Sequence, residues 1–184
     1  MNGWTFVPLA QARAMPWKNG GGITHELLAG PDARDWRWRL SVAQVDSSGP
    51  FSSFPGVHRW FAVLDGAGVV LEMDGGAHRL TCGSAPLSFD GAAVVDCVLI
   101  DGATQDFNLM VRGGSGAMLR VIGQWSGRVG RAGLAAVYAV EPAAIELAGE
   151  RTAVPAQTLA WRLMDADAPV QVTSSSALWM EADA

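Results

Sequence analysis

Positive charge is scarce in this sequence of 184 residues, and no segment concentrates it. Lysine and arginine together number 13, against 18 aspartate and glutamate residues, so the net charge is −5 at pH 7. The isoelectric point lies near 5.0. Proteins that bind nucleic acid through its phosphates present a basic face, and none is apparent here. We therefore expect no nucleic-acid partner.

Long hydrophobic runs are also missing. A helix needs about 20 consecutive apolar residues to cross a bilayer, and no run approaches that length. The N-terminal residues have neither the cationic start nor the apolar segment of a secretory signal. We expect a cytoplasmic protein with no membrane partner. Because 49% of the residues are hydrophobic and only 17% are charged, the chain is still able to bury a sizeable core.

Cysteine is nearly absent. The two cysteines, Cys82 and Cys97, form no CxxC motif, and each lies in or beside an apolar stretch. In a reducing compartment this placement predicts two buried free thiols rather than a disulfide.

Helical periodicity is scarce, and short segments separated by turn residues take its place. Asp-Gly pairs recur between these segments, and they are typical of tight turns because glycine adopts positive φ freely. Many short strands with regular turns indicate an all-β sandwich or barrel. One short helix is expected after Pro142. The predicted strands are 23–29, 36–45, 58–64, 68–73, 94–100, 106–112, 118–122, 134–140, 158–163, 170–173 and 178–180.

Three consecutive glycines at 20–22 are the most informative feature of the chain. They follow Trp17, Lys18 and Asn19 and lead into a predicted strand that carries Glu26. Glycine costs backbone entropy and adds no side chain to a core. A fold tolerates such a run where the chain turns tightly or where its backbone approaches another group. The polar neighbours favour a ligand as that group, and the glycine N–H groups could form a nest for an anion.

Alternation along the predicted strands places polar side chains together on one face. Three such faces are predicted: Arg37, Arg39 and Ser41; Asp106, Asn108 and Arg112; Thr24 and Glu26. Each could be the solvent side of a half-exposed sheet. Three of them in one barrel could instead line a polar cavity.

Several motifs resemble those of the HutD/Ves family and follow the family's order. The resemblance covers roughly residues 4–122, and the combination is far more specific than the glycine run alone. The motifs are PWKNGGGITHE at 16–26, RLSVA at 39–43, GPFSSFPGVHR at 49–59, LDG at 64–66 and DFNLMVR at 106–112.

The resemblance implies an all-β, cupin-type fold with two barrels. Residues 1–112 would form an N-terminal barrel with a ligand pocket. Residues 113–184 would form a smaller, cupin-like or degenerate barrel that shares strands with the first. HutD proteins are encoded with histidine-utilisation enzymes, so an accessory or regulatory role in histidine catabolism is implied. Strand-rich cupins frequently pair through edge strands, and a homodimer is a further expectation.

Metal binding is not expected from the histidines. A typical cupin metal site takes two histidines spaced HxH, a glutamate and a third histidine. Here His25, His58 and His78 are the only histidines, and no two lie within four residues of each other. His25 and Glu26 are adjacent, so a strand turns them to opposite faces. Carboxylate ligands show no distinctive spacing, and we expect a metal-free pocket without a cofactor.

Without a metal, charge complementarity must fix the ligand. Arginine matches a carboxylate with two parallel hydrogen bonds, and lysine adds a compact charge. Urocanate, imidazolone propionate and formimino- or formyl-glutamate are carboxylic acids of the implied pathway. The expected partner is therefore a small carboxylated metabolite. Its expected binding residues are Trp17, Lys18, Asn19, Thr24, Glu26, Arg39, Ser41, Arg59, Asp106, Asn108 and Arg112.

Two other functions are compatible with the same residues. An isomerase or hydrolase acting on such an acid would use Glu26 or Asp106 as general base and Lys18 as electrophile. A protein–protein adaptor would keep only a vestigial cavity. Individual residues also have structural alternatives: Trp17 could fill the core, and Arg39 could form a buried ion pair with either carboxylate.

Overall fold

Strands dominate the computed structural model of the chain, which describes residues 3–183. Among those residues, seventeen strands are joined by turns, and the one helical element is the 3-10 turn Leu9–Gln11. No helix in this part of the chain has both the length and the apolar character to cross a membrane. The all-β prediction is confirmed. In chain order the strands are β1 (Thr5–Pro8), β2 (Arg13–Pro16), β3 (Gly22–Gly30), β4 (Trp38–Val45), β5 (Gly49–Pro50), β6 (Val57–Asp65), β7 (Val69–Met73), β8 (Gly76–Leu80), β9 (Leu87–Asp90), β10 (Val95–Leu99), β11 (Thr104–Arg112), β12 (Gly116–Arg128), β13 (Gly133–Ala139), β14 (Ala143–Leu147), β15 (Glu150–Val154), β16 (Thr158–Met164) and β17 (Pro169–Asp183).

The prediction of a helix after Pro142 is wrong, because this segment is strand β14. Ala143 and Ile145 are buried, whereas Ala144 and Glu146 at the alternate positions are half-buried. The period of two is that of a strand with one face on the core. Hydrogen bonding to β15 on one side and to β17 on the other settles the conformation.

Residues 13–113 form one compact unit built from two sheets. The larger sheet has the strand order β2-β3-β4-β11-β6-β9, and the smaller has the order β5-β10-β7-β8. Phe61 and Val63 of the larger sheet pack in one cluster with Leu71 and Cys97 of the smaller sheet. None of these four side chains is more than 1% exposed. Each large apolar side chain buried in this way contributes about 1.5–3 kcal/mol.

The register of the central strands decides which side chains face the interior between the two sheets. Asn108 on β11 lies opposite Ser41 on β4 and Phe61 on β6. Directly opposed residues lie on the same side of a sheet, and Phe61 belongs to the core between the sheets. Asn108 and Ser41 therefore turn to that interior. Residues in the alternate positions, such as Leu40 and Phe107, are fully buried on the other side.

The second unit comprises the described chain up to Ala12 and from Gly114 onward. Its strands form one sheet in the order β1-β16-β13-β17-β14-β15, and β12 also pairs with β17. Because β17 pairs with β12, β13 and β14, the sheet curls around a core that contains Val137 and Trp179. The Trp125 ring lies against Trp179, with 5.3 Å between their centroids.

The N-terminal segment joins this second unit. Strand β1 pairs along its whole length with β16. The segment was expected in the N-terminal barrel, but a single short strand does not indicate in its own sequence which sheet edge it extends. The other division between the units lies at Gly113, beside the expected boundary between residues 112 and 113.

Both cysteines are free thiols, but only Cys97 is buried. The prediction of a buried thiol is wrong for Cys82. This residue lies in the turn that follows Leu80, the last residue of β8, where the chain has left the core.

Candidate functional site

A cavity of about 520 Å³ is lined by residues of the 13–113 unit. Small-molecule sites have volumes of about 300–1,000 Å³, so the cavity has the size for a metabolite. Most of its lining is apolar or aromatic, with a few convergent polar groups. The residues expected from the sequence that line it are Trp17, Lys18, Asn19, Thr24, Arg39, Ser41, Arg59 and Asn108.

Three expected residues, Glu26, Asp106 and Arg112, do not line the cavity. Arg112 is the last residue of β11, and its guanidinium carbon lies 4.3 Å from the ring centroid of Trp36. Its Nη1 is 3.2 Å from Asp35 Oδ1. Arg112 is exposed, and these two contacts hold it on the surface.

The turn around the glycines is closed by its own hydrogen bonds. Gly20 has φ of +73°, a left-handed conformation that favours glycine. Its N–H donates to the Trp17 carbonyl oxygen at 3.0 Å, and the Gly21 N–H donates to Asn19 Oδ1 at 3.0 Å. These two N–H groups are satisfied inside the loop. The loop is therefore a tight turn rather than an open nest for an anion.

Gly22 allows Trp17 to form a wall of the cavity. A Cβ on Gly22 would overlap the backbone oxygen of Gln44 and lie 3.2 Å from the Trp17 ring. The indole Nε1 donates to Thr24 Oγ1 at 2.8 Å, which fixes the ring. The close approach that requires glycine is therefore to the protein's own indole and neighbouring strand.

Arg39 has its countercharge within the protein. Its Nε donates to Glu26 Oε2 at 2.6 Å, and the two side chains are 15% and 23% exposed. Glu26 lies opposite Ser41 in the register of β3 and β4, so it is a diagonal neighbour of Arg39. Charge-assisted hydrogen bonds of this kind are among the stronger ones in proteins. The expected pairing of Arg39 with a carboxylate is formed with Glu26.

Arg59 is a buried cation without a carboxylate. It is 5% exposed, and its Nη2 donates to Asn108 Oδ1 at 2.8 Å. Its Nη1 reaches the Ser52 carbonyl oxygen at the long distance of 3.5 Å. The Nε atom has no hydrogen-bond partner, and Arg59 forms no ion pair with any residue from 3 to 183.

Aromatic rings surround the same guanidinium. Its carbon lies 5.3 Å from the ring centroid of Phe51, 5.6 Å from that of Phe54 and 5.1 Å from that of Phe89. Ring faces attract a cation, but more weakly than a carboxylate does. Burial, with a smaller contribution from the Arg39 charge, lowers the pKa of Arg59 to about 10. Arg59 is therefore still positively charged at neutral pH.

Asp106 lies beside the cavity but is sealed from it. It is 0% exposed and lies opposite Ala43, a residue of the cavity lining. The Thr104 hydroxyl donates to its Oδ2 at 2.8 Å, and its Oδ1 has no partner in the described chain. Burial raises the pKa of Asp106 to about 7, although the Thr104 hydrogen bond opposes the change. Burial and the Asp106 charge together raise the pKa of the Cys97 thiol to about 12.

The loop that follows β5 contributes cavity residues that are not among the expected binding residues. Phe51, Ser52 and Phe54 line the cavity, and they belong to the run GPFSSFPGVHR. The loop is held at both ends, since the Phe51 N–H donates to the Val95 oxygen at 2.8 Å and the Phe54 N–H to the Gly91 oxygen at 2.6 Å. Two aromatic residues flanking two serines inside a family motif were the signal that could have identified them.

The polar part of the lining consists of cations and neutral hydrogen-bonding groups. Lys18 and Asn19 are exposed, whereas Ser41 and Asn108 are buried. The two carboxylates considered as general bases do not reach the cavity. Among residues 3–183, no three His, Cys, Asp or Glu side chains are grouped in a way that could hold a metal ion. The arrangement matches an anion that also has an apolar part.

Comparison with known sequences identifies the family of the chain. The family model of HutD matches residues 9–180. A stretch of 98 residues is 43% identical to an uncharacterised 21.2 kDa protein in the hutC 3' region of Pseudomonas putida, covering 52% of each chain. Over 106 residues the chain is 41% identical to Protein Ves of Citrobacter koseri, covering 54% of this chain and 55% of that one. The matches therefore span about half the length of these curated relatives.

Solved structures agree with the family match. A conserved protein of unknown function from Pseudomonas aeruginosa PAO1, PA5104, has a TM-score of 0.84 and 31% identity, with 98% and 99% of the two chains covered. HutD from Pseudomonas fluorescens SBW25 has a TM-score of 0.82 and 30% identity, with 98% of each chain covered. A cupin 2 conserved barrel domain protein from Leptotrichia buccalis, at a TM-score of 0.53 and 9% identity over 92% and 95% of the chains, shows the fold alone. The fold is thus cupin-like, and the chain belongs to the HutD family.

Proposed function

We propose that the cavity of the 13–113 unit binds a small carboxylate-bearing metabolite and that the protein is an accessory or regulator of histidine catabolism. The observation that carries the binding is the guanidinium of Arg59 in the cavity lining, which is buried and has no carboxylate partner in the described chain. The link to histidine catabolism is supported by membership of the HutD family and by the relative in the hutC 3' region.

The energetics of Arg59 support an anionic ligand. Removing an ion from water costs several kcal/mol, and an opposite charge in good geometry is what offsets that cost. Glu26 supplies this charge to Arg39 but not to Arg59. The Asn108 amide and three aromatic rings around Arg59 are neutral. A ligand carboxylate would supply the missing countercharge.

The other lining residues indicate which further groups the ligand carries. Trp17, Phe51 and Phe54 provide apolar walls, and Lys18 adds a second cation in the exposed part of the lining. A cavity of about 520 Å³ accepts a molecule of metabolite size. Urocanate, imidazolone propionate and formimino- or formyl-glutamate combine a carboxylate with a short planar or aliphatic body, so they are the acids to test.

Titration calorimetry with each of these acids tests the proposal. We expect at least one to bind the wild-type protein, and Arg59→Met to weaken that binding by about 30-fold or more, since a lost charged partner costs about 2 kcal/mol or more. Arg79→Gln is the matched control because Arg79 is exposed on β8 of the same unit. Failure of every acid to bind folded wild-type protein would contradict the proposal. Unchanged affinity in Arg59→Met would contradict the position of the site.

Thermal unfolding separates a binding role for Arg59 from a structural one. Replacing a buried ion by an apolar side chain of similar volume is often neutral or stabilising. Because Arg59 has no carboxylate partner, Arg59→Met without ligand is expected to unfold at the same temperature as wild type or higher. A large fall in the unfolding temperature would mean that Arg59 is retained for stability.

The proposed role in histidine catabolism is tested by a measurement in cells. Transcript levels of the histidine-utilisation genes should change in the source organism when the gene is deleted, and in the same way when it carries Arg59→Met. Arg79→Gln should leave them at the wild-type level. A deletion without effect on these transcripts would contradict the role in histidine catabolism.

A further inference from the structure

A buried carboxyl group next to the cavity has no part in the binding described so far. Asp106 is two residues from Asn108 on β11, so both side chains turn to the same interior. Asn108 accepts the hydrogen bond from Arg59, and Asp106 lies opposite the cavity residue Ala43. Asp106 therefore lies beside the proposed carboxylate site, two residues along β11 from Asn108.

Glu181, in the other unit, shows the partners that a buried carboxyl group has elsewhere in this protein. Glu181 is 5% exposed and accepts hydrogen bonds from Trp179 Nε1 at 2.9 Å and from the Gly130 N–H at 2.9 Å. The Arg131 Nε lies 3.6 Å from the same carboxylate. N–H donors and a nearby cation favour the charged form of a carboxyl group.

Asp106 lacks almost all of this support. One hydroxyl, that of Thr104, donates to it, and Oδ1 has no partner within residues 3–183. Its register neighbours on β4 and β6, Ala43 and Val63, are apolar. Burial raises its pKa to about 7, so both protonation states are accessible near neutral pH. The titratable and charged residues on the sides of the two sheets that face each other are Cys97 on β10, His78 on β8, Arg59 on β6, Arg39 on β4, Glu26 on β3, Arg13 on β2 and Arg112 at the end of β11.

We propose that Asp106 is a proton-binding site coupled to the cavity, so that a carboxylate ligand binds together with a proton from solvent. This inference rests on the proposed binding of a carboxylate at Arg59. In the free protein, an ionised Asp106 and the Arg59 cation are opposite charges in one interior. A bound carboxylate adds a negative charge to this interior and repels the Asp106 anion. Asp106 then takes up one proton and becomes a neutral carboxyl group, while the ligand stays ionised.

Strand geometry sets the size of the effect. Two residues along a strand are separated by about 7 Å, which places a carboxylate at Arg59 and Asn108 on the order of 10 Å from Asp106. At an effective dielectric constant of about 20, a charge at that distance raises a pKa by about 1. Ligand affinity is then expected to fall about tenfold between about pH 6 and about pH 9. Proton uptake should be largest near pH 7.5, at about half a proton per ligand bound.

Calorimetry in two buffers with different ionisation enthalpies measures this uptake directly. Formate and formyl-glutamate are suitable ligands because their carboxyl groups, with pKa values of about 4, stay ionised throughout the range. We expect about half a proton per ligand for the wild-type protein near pH 7.5. For Asp106→Asn we expect binding that is retained, without uptake and without the tenfold pH dependence. Asp96→Asn, an exposed residue of β10, is the matched control and should keep the uptake.

The outcomes separate this inference from the proposed function. Binding without proton uptake in wild type, or with unchanged uptake in Asp106→Asn, overturns the proton site and leaves carboxylate binding intact. No binding of either ligand at any pH overturns both. A carbon NMR titration of the wild-type Asp106 carboxyl group needs no variant. Its midpoint should lie near 7 in the free protein and about 1 higher with saturating ligand, and an unmoved midpoint would overturn the coupling.

Discussion

Asp106→Asn should change how the free energy of unfolding depends on pH, even without ligand. Asp106 is fully buried, and burial raises its pKa from 3.8 to about 7. Between these two pH values the native state holds a proton that the unfolded chain has released. The native state of the wild-type protein is therefore stabilised as the pH falls below 7, and it loses that stabilisation as the pH rises towards 7.

The magnitude follows from the width of this interval. Each pH unit in which only the native state holds the proton changes the free energy of unfolding by about 1.36 kcal/mol. Lowering the pH from about 7 to about 5 covers two such units. Wild type should thus gain about 2.7 kcal/mol relative to Asp106→Asn, whose amide does not titrate. Above about pH 8 the difference between the two proteins should become constant, because the proton has left both states.

Urea unfolding of both proteins at several values between about pH 5 and about pH 8.5 measures this difference. Asp96→Asn controls for the change from carboxyl to amide on an exposed site. A difference between wild type and Asp106→Asn that is the same at both ends of the range would refute the reasoning. It would mean that the native protein keeps Asp106 ionised throughout, despite one hydrogen bond and complete burial.

Gly22→Ala is expected to lower the free energy of unfolding by about 2 kcal/mol, because a Cβ there overlaps a backbone oxygen of β4 and presses on the Trp17 ring. Thermal unfolding beside Gly49→Ala, where a Cβ meets open space, checks this, and equal effects would contradict it. A thiol reagent should modify Cys82 in the native protein and Cys97 only after unfolding, since Cys97 is buried and its pKa is raised to about 12. Peptide mapping after a short reaction distinguishes the two, and early labelling of Cys97 would argue against its burial.

Alternation predicts the strands well where one side carries polar residues and the other does not. The predicted strand 23–29 is observed as Gly22–Gly30, and the prediction 58–64 as Val57–Asp65. The prediction from alternation fails where the local composition favours another conformation. The segment after Pro142 is rich in alanine, a strong helix former, yet it pairs on both sides in a sheet. Tertiary pairing there overrides the local preference.

The last strand shows a different failure. The segments 170–173 and 178–180 were predicted as two strands, because serines interrupt the apolar pattern between them. They form one strand, Pro169–Asp183, which pairs along nearly its whole length with β12, and whose first and last parts pair with β14 and β13 respectively. A polar interruption ends a strand only when no partner continues beside it, and the partners lie far away in sequence. Sequence patterns within one segment therefore do not determine its length.

Sequence patterns also do not determine which single side chains reach the cavity. Alternation places Asn108 and Arg112 on one face, but Asn108 is buried at the cavity, whereas Arg112 is exposed at the end of the strand. Arg112 is the last residue of β11 and contacts Asp35 and Trp36 outside the strand, and the pattern of β11 does not contain these contacts. The aromatic residues of the 51–56 loop reach the cavity for a related reason, since the loop is tied to the start of β10.

Charge pairing is the step that only three-dimensional structure supplies, and it decides which arginine is available to a ligand. From sequence, Arg39 and Arg59 are equivalent candidates, and Arg39 had two possible carboxylate partners. In the fold, the bulge in β3 and its register with β4 bring Glu26 to Arg39, while Asp106 is held by Thr104. Arg59 is left without a carboxylate partner in the described chain. The carboxylate of a ligand therefore has more to gain at Arg59 than at Arg39, and the variant that tests binding most sharply is one at Arg59.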